Sequence, residues 1–277
     1  MKSAVDRYGV MGYPVSHSRS PVIHRLFALQ TGQNIAYELL PVAPGELRAA
    51  VHEFGGKGGK GLNITVPHKS AAADIADQLS ERATRAGAVN TLVFQDGEIF
   101  GDNTDGIGLL RDLTRNLGIE LEGMHILVLG AGGATRGILG PLLAANPAGI
   151  TIANRTVEKA RVLADDFASM GEVSACRFRE VPDTRPYGLV LNATSAGLTG
   201  ETPPWPKGAV GPDTVCYDLS YGLTPTPFSR FGLACGARAS LMGWGMLVEQ
   251  AAESFHLWRG VRPDTRPVLR QLSISAA

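Results

Sequence analysis

The chain has 277 residues, 44% of them hydrophobic and 19% charged. That is enough apolar material for one large or two ordinary domains, and it excludes a disordered protein. The 26 basic and 26 acidic residues cancel, so neither nucleic acid nor an anionic membrane is an expected partner.

Short β-like runs alternate with helix-period runs along most of the sequence. Residues 8–12, Ile35–Pro41 and 62–66 read as strands. Between the first two, Ser20-Pro21 opens a helix as a cap followed by a proline. Residues 91–100 read as a hairpin turning at Asp96-Gly97. A helix containing Leu109 and Leu110 follows and ends near Gly118. Further strands are expected at His125–Leu129, 150–153, 173–178, Leu189–Asn192 and 214–218, with long helices at 156–170 and 241–258. Strands separated by helices imply βαβ units and parallel sheets. The expected organisation is two α/β domains. Residues 1–105 form the first, with the terminal helices 241–277 returning to it, and 106–240 form the second. Asp6 and Arg7 precede any apolar run, so no secretory signal is expected. The apolar stretch 126–152 is rich in glycine and interrupted by Arg136, so it reads as buried strand and helix, not a membrane span. Cys176, Cys216 and Cys235 are odd in number and lack C-x-x-C spacing. They argue against a disulfide framework or a zinc site and for a cytoplasmic protein with reduced thiols.

The first chemical signal is the turn Gly130-Ala131-Gly132-Gly133-Ala134, between an apolar strand and a helix. Glycines there let the backbone approach a diphosphate, and the helix start supplies free N–H groups. A plain strand–helix turn would need the same glycines. The next strand ends at Asn154-Arg155-Thr156. An NAD-binding unit usually places a carboxylate on the ribose 2′-hydroxyl at that point. Asn154 stands there instead, and Arg155 beside it can grip a 2′-phosphate. The expected cofactor is therefore NADP(H), in a Rossmann-like doubly wound domain. Thr156 can also cap the helix that follows. Thr194 lies in a third polar strand end, Asn192-Ala193-Thr194-Ser195-Ala196-Gly197.

The first domain carries three polar segments at expected strand ends: 16–21, 63–69 and 88–106. Ser20 can act as a helix cap, Thr65 as an ordinary strand residue and Asp105 as a cap. His17 and His68 read as surface or hydrogen-bonded histidines, and no histidine pair has metal spacing. Lys69 is different, because a lysine at a helix start is electrostatically disfavoured. Hydride addition to a ketone builds negative charge on oxygen, which a positioned ammonium stabilises and protonates. Gln250 shares a helix face with Leu247 and Leu257 and needs a partner, either a substrate hydroxyl or a loop.

Taken in order, these segments resemble the shikimate dehydrogenase family nearly end to end. The shared motifs are Ser-His-Ser-Arg-Ser-Pro at 16–21, Asn63-x-Thr65-x-Pro67-x-Lys69, Gly87-Ala88-Val89-Asn90-Thr91 and Asp102-Asn103-Thr104-Asp105-Gly106. The glycine turn, Asn154-Arg155-Thr156, Asn192-Ala193-Thr194-Ser195, Tyr217-Asp218-x-x-Tyr221, Thr226-Pro227-Phe228 and Gln250-Ala251-Ala252 continue them. The resemblance implies NADPH-dependent reduction of 3-dehydroshikimate to shikimate, on the route to chorismate and the aromatic amino acids. It implies a catalytic pair, Lys69 and Asp105, and places Ser18 and Ser20, joined by Tyr221, on the substrate carboxylate. Thr65, Asn90, Asp105 and Gln250 fall to the ring hydroxyls and reacting oxygen. Leu219 and Gly243 fall near the nicotinamide, and Glu81 matches a position sometimes assigned to the cofactor. A small-molecule substrate, no nucleic acid or membrane, and a monomer or homodimer complete the expectation. The alternatives are a quinate/shikimate dehydrogenase using NAD and a non-catalytic sensor that keeps the pockets.

Overall fold

The computed structural model describes residues 5–194 and 203–274. The chain divides between Gly108 and Leu109 and again between Met246 and Leu247. The described residues up to Gly108, with Leu247–Gln271, form one compact unit. The residues between the two divisions form the other, together with the end of the last helix from Leu272.

The first unit begins with β1 (Asp6–Gly12), α1 (Ser20–Thr31), β2 (Ile35–Pro41), α2 (Leu47–Gly56) and β3 (Gly59–Ile64). It continues with α3 (Lys69–Ala73), β4 (Gln78–Leu79), α4 (Glu81–Ala86), β5 (Thr91–Gln95), β6 (Glu98–Asp102) and α5 (Asp105–Arg111). The division falls within α5, which runs on as a π-helical turn, Asp112–Asn116. The sheet order is β2-β1-β3-β5-β6-β4. β1 is parallel to β2 and β3, and β5 runs antiparallel to β3 and β6. The hairpin turns at Asp96 and Gly97, both with positive φ (53° and 85°), the signature of a tight two-residue turn. One core layer packs Leu47, Val51 and Phe54 of α2 and Ala72 of α3 on Leu62, Ile64 and Leu92 of the sheet.

The second unit holds β7 (His125–Leu129), α6 (Gly133–Leu143), β8 (Gly149–Ala153), α7 (Val157–Phe167) and β9 (Val173–Cys176). β10 (Leu189–Asn192), β11 (Val215–Asp218), α8 (Pro227–Ala234) and β12 (Ala239–Met242) follow. The order β12-β11-β10-β7-β8-β9 is parallel throughout. It is the doubly wound arrangement whose order reverses between β7 and β10. Alternate strand residues enter two cores. Ile126, Val128 and Leu191 pack with α6 and α7, whereas Leu127, Leu129 and Val190 pack with Phe228 of α8. The chain ends with α9 (Trp244–Arg259) and α10 (Thr265–Ile274). In the first unit α9 buries Val248, Ala251, Ala252 and Phe255, and Trp258 donates to Leu92 O at 2.9 Å.

Four local expectations are corrected. The helix expected from residue 241 starts at Trp244, because Ala239–Met242 pairs with β11 as an edge strand. The strand expected at 62–66 spans Gly59–Ile64, because His68 N–H closes a turn onto Thr65 O at 3.0 Å. Thr65 is thus a turn residue, and Val66 beyond it is 69% exposed. Ser20 is the first residue of α1, not its cap; Arg19 holds the cap position without a side-chain bond. Thr156 stands at the cap of α7 but makes no side-chain cap bond.

Candidate active site

The turn after β3 delivers Lys69. Thr65 N–H bonds Met11 O at 2.9 Å, and buried His68 is anchored by its ring Nε2, 2.7 Å from Val42 O. The cation that follows opens α3, where the helix gives it no support. Its partner is Asp105, with Lys69 Nζ 2.5 Å from Asp105 Oδ2. The two side chains are 30% and 11% exposed, so the pair is shielded but reachable. Lys69 follows β3 and Asp105 follows β6, with β5 between those strands, so the topology brings the pair together across the strand ends.

Asn90 is the hub beside them. Its Oδ1 accepts from Thr104 N–H at 2.8 Å and Thr91 Oγ1 at 2.9 Å. Its Nδ2 donates to Thr104 Oγ1 and Asp105 Oδ1, both at 2.9 Å. Gln250 enters from α9 with Oε1 3.4 Å from Asn90 Nδ2 and 3.5 Å from Thr104 Oγ1, while its Nε2 donates to Leu247 O at 2.8 Å. Thus the polar residue on the apolar helix face reaches the polar web and also bonds its own helix. Ser18 and Ser20 lie Oγ to Oγ at 3.2 Å, with Ser20 buried and Ser18 half-buried. Arg19 between them is exposed, but in a helical backbone conformation, so strand alternation is not what turns it away.

Sequence reasoning gave no role to the layer beneath. Tyr37 Oη donates to Asn63 Oδ1 at 2.7 Å. Asn63 Nδ2 reaches Asn90 O, Thr91 Oγ1 and Ser254 Oγ at 3.0–3.2 Å. His24 stacks on Tyr37 at 4.3 Å and 7°. Burial lowers its pKa to about 3, against a weaker opposing effect of the nearby Asn63 amide, so the ring is neutral. The available signals were an asparagine inside an apolar strand and a serine one helical turn after Gln250.

In the second unit, Gly130 has φ 106° and a backbone only glycine adopts readily. A side chain there would also meet Ala193 and Thr194 at 3.1 Å, across the reversal of strand order. Ala131 is half-buried, while Gly132, Gly133 and Ala134 are exposed at the start of α6. A Cβ at Gly132 or Gly133 would meet open space. Backbone close enough for a diphosphate is therefore accessible at a helix N-terminus. Asn154 Nδ2 donates to Thr156 O at 2.8 Å, and Arg155 and Thr156 are exposed at the end of β8. These residues fit a phosphorylated dinucleotide: a glycine cradle, helix-start N–H groups and an exposed guanidinium. Thr194 is tied to Asn192 Oδ1 through Oγ1 at 2.7 Å; Ser195, Ala196 and Gly197 lie outside the described residues. Tyr221 packs on Trp244 with ring centroids 4.8 Å apart. Leu219 and Gly243 are in close contact, since a Cβ on Gly243 would lie 2.4 Å from Leu219 O. Glu81 opens α4 in the first unit, where it pairs with Arg85. Among the described residues no cluster of side chains could hold a metal ion, and no helix is long and apolar enough to cross a membrane.

A doubly wound unit with a glycine cradle, in one chain with a lysine–aspartate pair set in a hydroxyl- and amide-rich site, defines a dinucleotide-linked α/β oxidoreductase. Family models agree. Residues 10–92 match the shikimate dehydrogenase substrate-binding domain, 112–199 the shikimate/quinate 5-dehydrogenase domain, and 243–272 the shikimate 5′-dehydrogenase C-terminal domain. The chain is 55% identical to shikimate dehydrogenase (NADP(+)) of Methylococcus capsulatus, over 96% of each chain. It superposes on the Ael1 enzyme of Pseudomonas putida with a TM-score of 0.91, at 46% identity over 97% of this chain and 98% of that one. Shikimate 5-dehydrogenase of Thermus thermophilus, solved with NADP(H) and shikimate, gives 0.86 at 34% identity over 99% and 100%. The chain belongs to the shikimate dehydrogenase family.

Proposed function

We propose that this chain catalyses the reversible NADPH-dependent reduction of 3-dehydroshikimate to shikimate, the step that leads toward chorismate. The observation that carries the reading is the Lys69–Asp105 pair at 2.5 Å, joined to Asn90, Thr104 and Gln250. When bound, the nicotinamide supplies or accepts the hydride. Lys69 holds its ammonium toward the carbonyl oxygen, stabilises the charge that develops there and delivers the proton. In the oxidative direction its free amine takes the hydroxyl proton. Asp105 fixes the lysine head through Oδ2 while its Oδ1 is held by Asn90. Ser18 and Ser20 take the substrate carboxylate, and Tyr221 is assigned to substrate binding; Thr65, Asn90 and Gln250 take the ring hydroxyls. An analogue that lacks one hydroxyl leaves a polar group of the site unpaired, at a cost of about 1–3 kcal/mol, so such a site rejects it. Gly130, Ala131, Gly132, Gly133 and Ala134 cradle the diphosphate, and Asn154, Arg155 and Thr156 hold the 2′-phosphate. Thr194, Leu219 and Gly243 line the nicotinamide side, and Glu81 is the outlying member of the set.

The protein acts in the cytoplasm as a monomer or homodimer. Its three free thiols are consistent with that compartment. Burial raises the pKa of Cys176 to about 11 and of Cys216 to about 12, so both stay protonated and unreactive.

The test is the loss of NADPH absorbance with 3-dehydroshikimate, run beside NADH and beside quinate oxidation. Turnover confined to NADPH and 3-dehydroshikimate supports the reading. Comparable rates with NADH and quinate would replace it with a broader dehydrogenase, and no turnover would leave a sensor. Arg155→Ala should raise KM for NADPH far more than for NADH; equal effects would remove Arg155 from the cofactor site.

A further inference from the structure

A charge cluster built on two buried carboxylates adjoins these residues, and none of the roles above uses it. Asp102, 2% exposed, closes β6 three residues before Asp105. Arg82, on α4, meets it with a fork: Nε lies 2.7 Å from Oδ1 and Nη2 2.6 Å from Oδ2. The same Nη2 lies 3.2 Å from Oε1 of Glu253, on α9. Arg262 pairs with the other oxygen of Glu253. Burial alone would lower the pKa of Arg82; its bonds to Asp102 and Glu253 outweigh that and raise it, so the guanidinium is fixed as a cation.

Each contact leads to a residue of the site. Asp102 Oδ1 also accepts from Ser80 Oγ at 2.5 Å and from Asn103 N–H at 2.7 Å. Asn103 Oδ1 in turn accepts the N–H of Asp105 at 3.1 Å. The plane of the Asp102 carboxylate thereby sets the turn that aims Asp105 at Lys69. Glu253 lies three residues after Gln250 on the same helix, close to one turn. Holding Glu253 fixes the rotation of α9 that leaves Gln250 Oε1 3.4 Å from Asn90 Nδ2. A guanidinium can make all three bonds in one plane; an ammonium cannot reproduce the fork.

We propose that Arg82 is a positioning residue for the reaction, with one guanidinium tying the turn that carries Asp105 to the helix that carries Gln250, without touching the substrate. The inference rests on the proposed roles of Asp105 and Gln250.

The test uses the full chain and steady-state kinetics. Arg82→Ala should lower kcat about ten- to hundredfold, as for a catalytic group displaced by roughly an ångström, and raise KM for shikimate several-fold. Added guanidinium ion should restore kcat by remaking the paired bonds to Asp102, whereas equal sodium chloride or urea should not. Arg262→Met removes another ion pair of Glu253 but leaves Asp102 untouched, and should keep kcat close to wild type. Equal losses in both variants with no rescue would reduce Arg82 to general stability and overturn the proposal. If Arg82→Ala does not fold, Arg82→Lys carries the test: it keeps the charge and must still lose kcat, and wild-type kcat would overturn the proposal. A wild-type chain that turns over no shikimate would overturn the proposed function instead. Positioning is then read from a crystal structure of an Arg82 variant. Asp105 still beside Lys69 and Gln250 still beside Asn90 would refute it whatever the activity.

Discussion

Gly108 offers a direct way to move one site residue without changing it. It lies in α5 against Gln250 of α9, and a Cβ there would stand 2.7 Å from Gln250 Cβ, 2.7 Å from its N and 2.9 Å from its Cα. Two of those atoms are backbone, so no rotamer change relieves the clash. Carbon atoms rest at about 3.5–4.0 Å, so Gly108→Ala must part the helices by roughly 1 Å. The Gln250 contacts, already 3.4 and 3.5 Å long, then pass out of hydrogen-bond range. Stability should change little. Alanine gains up to about 1 kcal/mol of helix propensity while overpacking costs about 1–3 kcal/mol. Function should change more, because a displacement near 1 Å at a positioned group costs up to about a hundredfold. The expected result is a kcat/KM for shikimate lower by about ten- to a hundredfold, carried mainly by KM, with thermal unfolding within a few degrees of wild type. Adding Gln250→Ala to Gly108→Ala should cost little more, since both remove one interaction. Wild-type kcat/KM in Gly108→Ala, or fully additive losses in the double variant, would refute the reasoning.

Two further outcomes follow from the same kind of argument. His24 has a folded-state pKa of about 3 against 6.5 in the free side chain, so the unfolded chain takes up the proton first as pH falls. Stability is therefore lost as pH falls below about 6.5, by about 1.4 kcal/mol per unit, or about 2–3 kcal/mol at pH near 4.5. Among the described residues its ring nitrogens have no partner within hydrogen-bond geometry, so His24→Phe should reduce the loss of unfolding free energy between pH 7.5 and 4.5, read from urea titrations, by about that much; equal slopes would refute this. Gly132→Ala places a methyl in open space and should leave the melting temperature unchanged while raising KM for NADPH about tenfold through the blocked backbone approach. An unchanged KM would mean that the diphosphate lies elsewhere.

How far the sequence carried the fold depended on what fixes each element. The strands β7, β10 and β11 are buried nearly end to end, and such runs are legible because nothing polar interrupts them. The hairpin was legible because Asp96-Gly97 is turn chemistry. β12 was not, because its four residues are all half-buried and lead within two residues into a long helix. The end of β3 was misplaced because Ile64 and Val66 alternate as strand residues do, although the ladder stops at Ile64 and Val66 faces solvent. Short helices such as α3 and α4 have too few turns to show a period, and with α4 went any view of Arg82. Lys69 stood out because a cation at a helix start needs a reason. Its distance to Asp105 did not, since it depends on β5 being inserted between β3 and β6.

The bond lengths within the first unit also rank its residues by freedom. Asn90 spends its Oδ1 on Thr104 N–H and Thr91, and its Nδ2 on Thr104 and Asp105, all at 2.8–2.9 Å. Lys69 and Asp105 are closer still at 2.5 Å. These short bonds are saturated and hold the frame. The contacts of Gln250 Oε1, at 3.4 and 3.5 Å, are at the limit of useful geometry and cost little to exchange. A hydroxylated ligand therefore gains most by bonding Gln250 and the exposed edge of Lys69, and least by displacing the partners of Asn90. On the proposed roles, the frame is built before substrate arrives, which spares the reaction the reorganisation that a loose site would need. It follows that Gln250→Ala should act chiefly on KM, whereas Asn90→Ala, which opens the frame itself, should act on kcat as well.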